Sequence, residues 1–487
     1  IMNKHDRPHG AILWIMVVMN IPIIGILLYV LFGINRIKST GIAVNMAHRI
    51  MLEKKKKLAS IGKNGTEIIS GKIDEEINKA LLSHAKEQQN HIYYAKDQEY
   101  ELFNMALDRT IPDSIPLAGN KLELLSDGTK AYPRMLEEIN SAKSSIHLQS
   151  FIIMNDPVGR EILGALEKKS REEGVEVKVL YDRFGSFKAR MLFRQYQSSS
   201  NTFSIKPFAP LFSFRMPWTV QLRNHRKLLV IDGNRAFIGG INISSNNDSR
   251  WAKKDKYIHD LHCFIKGPAV GELQFAFLKD WFYATAEPIH NILKEKYFPI
   301  LKKEGDSVVR VISSGPGQEF EATEKVFMCA LMTAQKQIWI MTPYFVPDTP
   351  FCKAACAAVA KGVEIKILVP RKNNHWYVQF ASQSLYPQLL EAGIRIFEKE
   401  GSFSHAKAML VDGAWGYMGS SNCDVRSFRL NFELDFVVSK GRFLEDLHLQ
   451  FLSEFAEAKE VRFEEAINKN IFQKFAENSC SLLTPIL

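Results

Sequence analysis

The sequence predicts two tandem α/β/α sandwich domains that form one pseudo-twofold unit, preceded by an N-terminal transmembrane helix. Three observations carry this. An uncharged apolar run lies near the start, and alternating β-branched segments separated by helix-length stretches fill most of the remainder. One constellation of polar residues also occurs twice. The 487 residues allow about three structural units. The boundaries read as an anchor over 1–35, a basic helical juxtamembrane linker over 36–115, and domains over 116–305 and 306–487.

Within the anchor, residues 11–32 are 22 in a row without charge, interrupted only by Asn20 and Pro22. At 1.5 Å per residue a helix of that length spans about 33 Å, enough for a hydrocarbon core of about 30 Å. The run is long for a signal peptide, and no small-residue cleavage site precedes Arg36. The Ile1-Met2 start suggests that a segment, such as another span, precedes it. Arg36, Lys38, Arg49 and the run Lys54, Lys55, Lys56, Lys57 follow, with Glu53 the only acid nearby. That bias places the downstream domains in the cytoplasm. It also attracts anionic headgroups, at about 1 kcal/mol per basic residue. From about residue 40 to 110, apolar positions such as Ile77, Ala80, Leu81 and Leu82 recur at helical spacing, as in short linking helices.

Composition narrows the function classes. Hydrophobic residues make up 46% and charged residues 24%, which excludes general disorder. Lys+Arg 63 against Asp+Glu 53 leaves a net charge of +10, favouring a nucleic acid or an anionic membrane without choosing between them. The six cysteines are irregularly spaced, so no disulfide framework is expected and a reducing compartment fits. Cys352 and Cys356, in an Ala-rich run, read as small buried thiols.

The two domains repeat one another. Ser145-Ile146-His147-Leu148-Gln149-Ser150-Phe151, then Asn155-Asp156-Pro157, a helix and Gly174-Val175-Glu176-Val177-Lys178-Val179-Leu180 form the first series. Gln337-Ile338-Trp339-Ile340-Met341-Thr342-Pro343, then Pro347-Asp348, a helix and Gly362-Val363-Glu364-Ile365-Lys366-Ile367-Leu368 form the second. A period of roughly 190 residues is too long for a solenoid and denotes a duplicated domain.

Each half then carries H-x-K-x4-D-x6-G-[GS]-x-N. In the first it is His225, Lys227, Asp232, Gly239, Gly240 and Asn242; in the second, His405, Lys407, Asp412, Gly419, Ser420 and Asn422. On a strand, positions i and i+2 share a face, so each His and Lys project together. Asp232 and Asp412 have the opposite parity and start Asp-Gly pairs, the signal of a two-residue hairpin, so they read as turn residues. Gly240 and Ser420 are small enough for backbone amides to approach a ligand, and Asn242 and Asn422 add donors.

Two such sets facing one another make a cationic, donor-rich cleft suited to a tetrahedral phosphate. Two histidines permit covalent catalysis: one attacks phosphorus while the other protonates the departing alkoxide and then activates the acceptor. Asp260, 35 residues after His225, and Glu433, 28 after His405, are the candidate carboxylates that orient the imidazoles through Nδ1. His-x-Lys spacing matches no metal pattern, and no Walker loop occurs, so no metal and no cofactor is expected.

The duplicated motif resembles the HKD signature of the phospholipase D superfamily, and the likeness extends to bacterial cardiolipin synthases. Residues 22–33, Tyr181-Asp182-Arg183-Phe184-Gly185-Ser186, Thr342-Pro343-Tyr344-Phe345-Val346-Pro347-Asp348, Arg426-Ser427-Phe428-Arg429-Leu430-Asn431-Phe432-Glu433 and the terminal Leu482-Leu483-Thr484-Pro485 resemble further blocks of that group. Asn373-Asn374-His375 departs from it, since members often carry an acid before the His. The resemblance implies phospholipase D-like domains and a reaction of two phosphatidylglycerol molecules to give cardiolipin and glycerol. It further implies a phosphatidyl-histidine intermediate, no metal, and a place in the bacterial inner (cytoplasmic) membrane with the catalytic domains on the cytoplasmic side. By the same analogy the motif residues, Asp232 and Asp412 included, belong to the catalytic set, with His225 as nucleophile and His405 as acid and base. The residues themselves leave that order open.

Expected partners are phosphatidylglycerol and anionic membrane lipids, not nucleic acid, because nothing resembles a base-stacking platform. Self-association into a homo-oligomer and the choice between phosphatidylglycerol and phosphatidylethanolamine as second substrate stay open. A hydrolase or phosphodiesterase nuclease using water as acceptor is the alternative within the same chemistry. The aromatic stretch 208–218, ending at Trp218, reads either as an interfacial loop limiting water or as a core segment.

Overall fold

The computed structural model describes residues 89–93, 98–196, 202–208, 223–316 and 320–482, with isolated positions 18, 19, 21, 25 and 484. The expected span, the basic skirt and the aromatic stretch beyond Phe208 lie outside the described residues. Among the described residues no helix is long and apolar enough to cross a membrane.

The first half contributes β1 (Pro116–Leu125), β2 (Ser145–Ser150), β3 (Glu176–Tyr181), β4 (Phe203–Pro207), β5 (Leu228–Ile231), β6 (Arg235–Gly239), β7 (Ile258–His259) and β8 (His262–Lys266). The second begins with β9 (Ser307–Ser314), β10 (Gln337–Met341), β11 (Phe345–Val346), β12 (Glu364–Pro370), β13 (Arg395–Lys399) and β14 (Phe403–Ser404). It ends with β15 (Ala408–Val411), β16 (Trp415–Gly419), β17 (Cys423–Asp424), β18 (Glu433–Ser439) and β19 (Ala458–Glu460).

Fifteen of the described strands form one sheet, ordered β19-β13-β12-β10-β15-β16-β18-β9-β1-β8-β6-β5-β2-β3-β4. From the antiparallel β9–β1 seam outwards, β9, β18, β16, β15, β10, β12, β13 mirrors β1, β8, β6, β5, β2, β3, β4. The repeat in sequence is therefore a repeat in topology. Local signals recur too: Asp156 caps helix Pro157–Glu173 through Gly159 N at 2.9 Å, and Asp348 caps Thr349–Ala360 through Phe351 N at 3.3 Å.

Alternate residues of each strand serve opposite faces. On one face, Leu228, Val230, Leu410 and Phe436 share a single core with helices Ala269–Thr285 and Arg442–Ala456, so both halves close over it. On the other face each half has its own core, with Leu229 and Ile231 in one and Met409 and Val411 in the other. Helix Gln98–Thr110, expected in the linker, belongs to the second of these. Its Phe103 stacks on Trp415 at 3.7 Å, and Asp108 pairs with the buried Arg310 at 2.6 Å.

The hairpins differ from expectation. Ile231 pairs with Arg235 and Val411 with Trp415, leaving three-residue turns, Asp232-Gly233-Asn234 and Asp412-Gly413-Ala414. The Asp and Gly of each turn have positive φ (51° and 66°; 56° and 67°), a conformation that Asp tolerates better than most side chains.

Candidate active site

His225 and Lys227 precede β5, and His405 and Lys407 precede β15, on extended segments that have left the main sheet. Each segment pairs instead with the other half. His225 N donates to the Phe432 carbonyl at 2.9 Å, and His405 N donates to the His259 carbonyl at 2.7 Å. Phe432 and His259 each precede a candidate carboxylate, so the backbone bridges bring those carboxylates to the opposite histidine.

The pairing is therefore crossed. His225 Nδ1 lies 3.0 and 3.1 Å from the Glu433 oxygens, and His405 Nδ1 lies 2.6 Å from Asp260 Oδ2. The sequence offers the two carboxylates without assigning either to a histidine, and the structure gives each to the imidazole of the other half. Sequence separation orders the residues along one chain, whereas the pseudo-twofold contact brings each acid to the partner domain's loop. With Nδ1 committed, Nε2 of each ring is left for substrate. Phe151 stands edge-on to His225 at 5.0 Å, and Tyr344 edge-on to His405 at 5.9 Å.

The His and Lys side chains of both motifs are buried. Lys227 Nζ and Lys407 Nζ donate to the carbonyls of His225 and His405, and Lys407 Nζ is 3.6 Å from Asp260. Burial is the main cause that lowers both ammonium groups, Lys227 to about 7 and Lys407 to about 8. Burial and then the lysines push both imidazoles down, His225 well below its ordinary value and His405 to about 3. The carboxyls diverge. Burial raises Glu433 to about 7; it would also raise Asp260, but Lys407 and His405 outweigh it and hold that group below its usual range.

The structure places the other expected residues differently. The Asp232 carboxylate accepts from Lys143 N, Ser144 N and Ser145 N at 2.7–3.1 Å, and Asp412 accepts from Gln335 N, Lys336 N and Gln337 N at 2.7–2.8 Å. They tie the hairpins to the starts of β2 and β10, at the strand ends remote from the histidines, so they do not join the catalytic group. Asn242 Oδ1 accepts from Ile152 N at 3.1 Å, which orients its amide, while Asn422 Oδ1 is buried without a hydrogen-bond partner.

Gly240 and Ser420 do not offer amides to a ligand. Gly240 N donates to the Leu261 carbonyl at 2.8 Å and Ser420 N to Asp435 at 2.9 Å. Their smallness serves the carboxylates instead. A Cβ on Gly240 would lie 2.1 Å from Asp260 Oδ1, and Ser420 Oγ donates to Glu433 at 2.6 Å.

The family described as "Cardiolipin synthase, PLD-like domain" matches residues 135–281 and 327–456, and "Phospholipase D-nuclease N-terminal" matches residues 1–33.

The chain belongs to the phospholipase D-like cardiolipin synthase family.

Its relatives include cardiolipin synthase of Halalkalibacterium halodurans, 32% identical over 100% of this chain and 90% of that protein. Cardiolipin synthase 2 of Bacillus anthracis is 31% identical over 100% of this chain and 88% of that one. Among solved structures, phosphatidylserine synthase of Haemophilus influenzae Rd KW20 shares the fold, with a TM-score of 0.60 at 15% identity over 79% of this chain and 100% of that chain.

Within this family frame, one residue goes unnoticed in the sequence. Arg226, between His225 and Lys227, is fully buried and clamps the halves together. It donates to the Glu433 carbonyl at 3.0 Å, Ser313 Oγ at 2.7 Å and the Ser314 carbonyl at 3.1 Å, and pairs with Asp280 at 2.9 Å. The second motif has Ala406 at that place, also buried. An Arg facing an Ala across a repeat was the available signal. Asn224 Nδ2 also reaches Asp280, at 3.2 Å.

Proposed function

We propose that this protein is a membrane-bound cardiolipin synthase, transferring a phosphatidyl group from one phosphatidylglycerol to another with release of glycerol. The observation that carries the reading is the crossed pair of carboxylate–histidine dyads flanked by two buried lysines.

His225 is the nucleophile. Burial keeps it neutral, and its Nε2 attacks phosphorus while Lys227 and Lys407 face the phosphoryl oxygens. The bond from phosphorus to the headgroup glycerol oxygen breaks, and that oxygen takes the proton of His405. Glycerol leaves, and the phosphatidyl group stays on His225. His405, now neutral, takes the proton from a glycerol hydroxyl of the second phosphatidylglycerol. That oxygen attacks phosphorus, the P–N bond breaks, and cardiolipin departs with both imidazoles restored. An anionic phosphodiester in the cleft favours the protonated His405 that the first step needs.

The two carboxyls support this order. The ionised Asp260 beside His405 stabilises an imidazolium, whereas Glu433 beside His225 is raised to about 7 and does so less. Asp232 and Asp412 hold the hairpins, and Asn242 and Asn422 supply donors beside the phosphate. The basic skirt and apolar run near the N-terminus agree with catalytic domains held at the cytoplasmic face of the bacterial membrane.

The test gives the purified protein phosphatidylglycerol in detergent and measures cardiolipin, phosphatidic acid and glycerol. Cardiolipin and glycerol in equal amounts are expected. Phosphatidic acid without cardiolipin would make the protein a hydrolase, and full synthesis by His225→Ala would refute the covalent step.

A further inference from the structure

Two segments with exposed aromatic side chains flank the dyads, and they leave the sheet after equivalent strands. The first follows β3, where Phe187 and Met191 are 62% and 68% exposed while Leu192 and Phe193, next in the same helix, are buried. The second follows β12. Trp376 is 66% exposed, and helix Trp376–Gln383 packs through Val378 and Ala381 against Cys480 of helix Ile471–Ser481, which exposes Phe472 and Phe475. Exposed large apolar side chains grouped on two segments beside a site mark a candidate interaction surface.

Both segments connect directly to the dyads. The Asp182 carboxylate accepts from Asn224 N at 3.1 Å, next to His225, and the Arg223 guanidinium lies over the Phe184 ring at 4.6 Å. On the other side, Tyr344, edge-on to His405, packs with Tyr377 and Phe380 on the small core that Val378 and Ala381 share with Cys480. The aromatic segments therefore lie beside the two histidines, one on each side.

Charge points to the occupant. Residues 183–194 contain Arg183, Lys188, Arg190 and Arg194 and no acid, interleaved with the exposed apolar positions. A depression of about 110 Å³ is lined by Arg183, Ser186, Phe187 and Arg190, a size and chemistry that accept a phosphate oxyanion. Apolar tips beside cationic side chains match the acyl–headgroup boundary of an anionic bilayer, where buried aromatic area and basic charge add.

We propose that these two segments form a docking surface for an anionic lipid bilayer, with the opening of the active site between them. Phe187, Met191, Trp376, Phe472 and Phe475 enter the acyl boundary while Arg183 and Arg190 hold lipid phosphates. A substrate headgroup then reaches the dyads without its chains leaving the membrane. The proposal rests on the lipid-transferase reading above.

Two measurements on the full-length chain test it. The first reconstitutes wild type and Trp376→Phe into phosphatidylglycerol vesicles with brominated acyl chains. The emission lost between the two proteins isolates Trp376, and bromine is expected to quench it by half or more. No quenching overturns the proposal, whether a second copy or residues 1–88 of this chain cover the surface instead. The second measurement compares F472E/F475E, at positions that line no phosphate site, with wild type on vesicles and on monomeric short-chain phosphatidylglycerol. Turnover on vesicles is expected to fall about tenfold while turnover on monomers is unchanged. Equal rates on vesicles, or equal losses on both substrates, overturn it. If wild type makes no cardiolipin from either substrate, the functional reading fails, and the quenching measurement still decides the docking surface.

Discussion

Replacing Glu433 by Gln tests the crossed dyad most directly. Glu433 is fully buried, and its two oxygens meet His225 Nδ1 at 3.0 and 3.1 Å. Ser420 Oγ donates to one oxygen at 2.6 Å and Asn431 Nδ2 to the other at 3.1 Å. A Gln has a single acceptor oxygen, so its NH2 group must oppose one of these donors. Losing a charge-assisted hydrogen bond costs about 1.5–3 kcal/mol, and the mismatched buried amide adds about 1–3 kcal/mol. A total near 3–5 kcal/mol at the transition state corresponds to a rate loss of roughly 10²- to 10⁴-fold.

The assay follows the initial rate of cardiolipin formation and the acid-labile phosphatidyl adduct on the protein. A donor lipid with a nitrophenyl leaving group separates the two dyads, because that group departs without protonation. On this donor E433Q should still form the adduct slowly, while Asp260→Asn should form it at close to the wild-type rate. A loss of less than about threefold for E433Q would refute the orienting role. Slow adduct formation by D260N with normal formation by E433Q would refute the crossed assignment.

Three further outcomes are expected. Lys227 and Lys407 are cationic below about 7 and about 8 and neutral above, so kcat/KM for phosphatidylglycerol should decline as pH rises through that window. A profile flat to about pH 9 would mean that neither lysine meets the phosphate with a lowered pKa. Gly240→Ala should displace Asp260, because the new Cβ would lie 2.1 Å from its Oδ1. Turnover should drop by about tenfold or more with little change in circular dichroism, and unaltered kinetics would show that Asp260 can move freely. Arg226→Met takes the guanidinium from the buried Asp280, leaving it the neutral donors Gln149 and Asn224, and frees the Glu433 carbonyl, so calorimetry should show a destabilisation of about 3–5 kcal/mol.

Much of the architecture was legible because its causes are local. Alternation marked β2, β3, β10 and β12, and Asp156 and Asp348 announced the helices that they cap. The motif spacing placed His225 with Lys227 and His405 with Lys407. The turns were misjudged by one residue, since an Asp-Gly pair also suits a longer loop once the Asp carboxylate is anchored on three amides of a neighbouring strand. Helix Gln98–Thr110 was assigned to a linker because helical spacing does not reveal which domain an apolar face will meet.

By itself the sequence determined a duplicated α/β chain with two His-x-Lys sets, two candidate carboxylates and the chemistry of phosphate transfer. Only the tertiary structure decided which acid serves which histidine, why Gly240 and Ser420 must be small, and that Arg226 clamps one half to the other. The physical reason is range. Alternation, caps and i to i+2 geometry act across a few residues, whereas the contact between His225 and Glu433 joins positions 208 residues apart. That contact exists only when both halves close over a common core and seam, and its partner is set by the symmetry of closure rather than by distance along the chain.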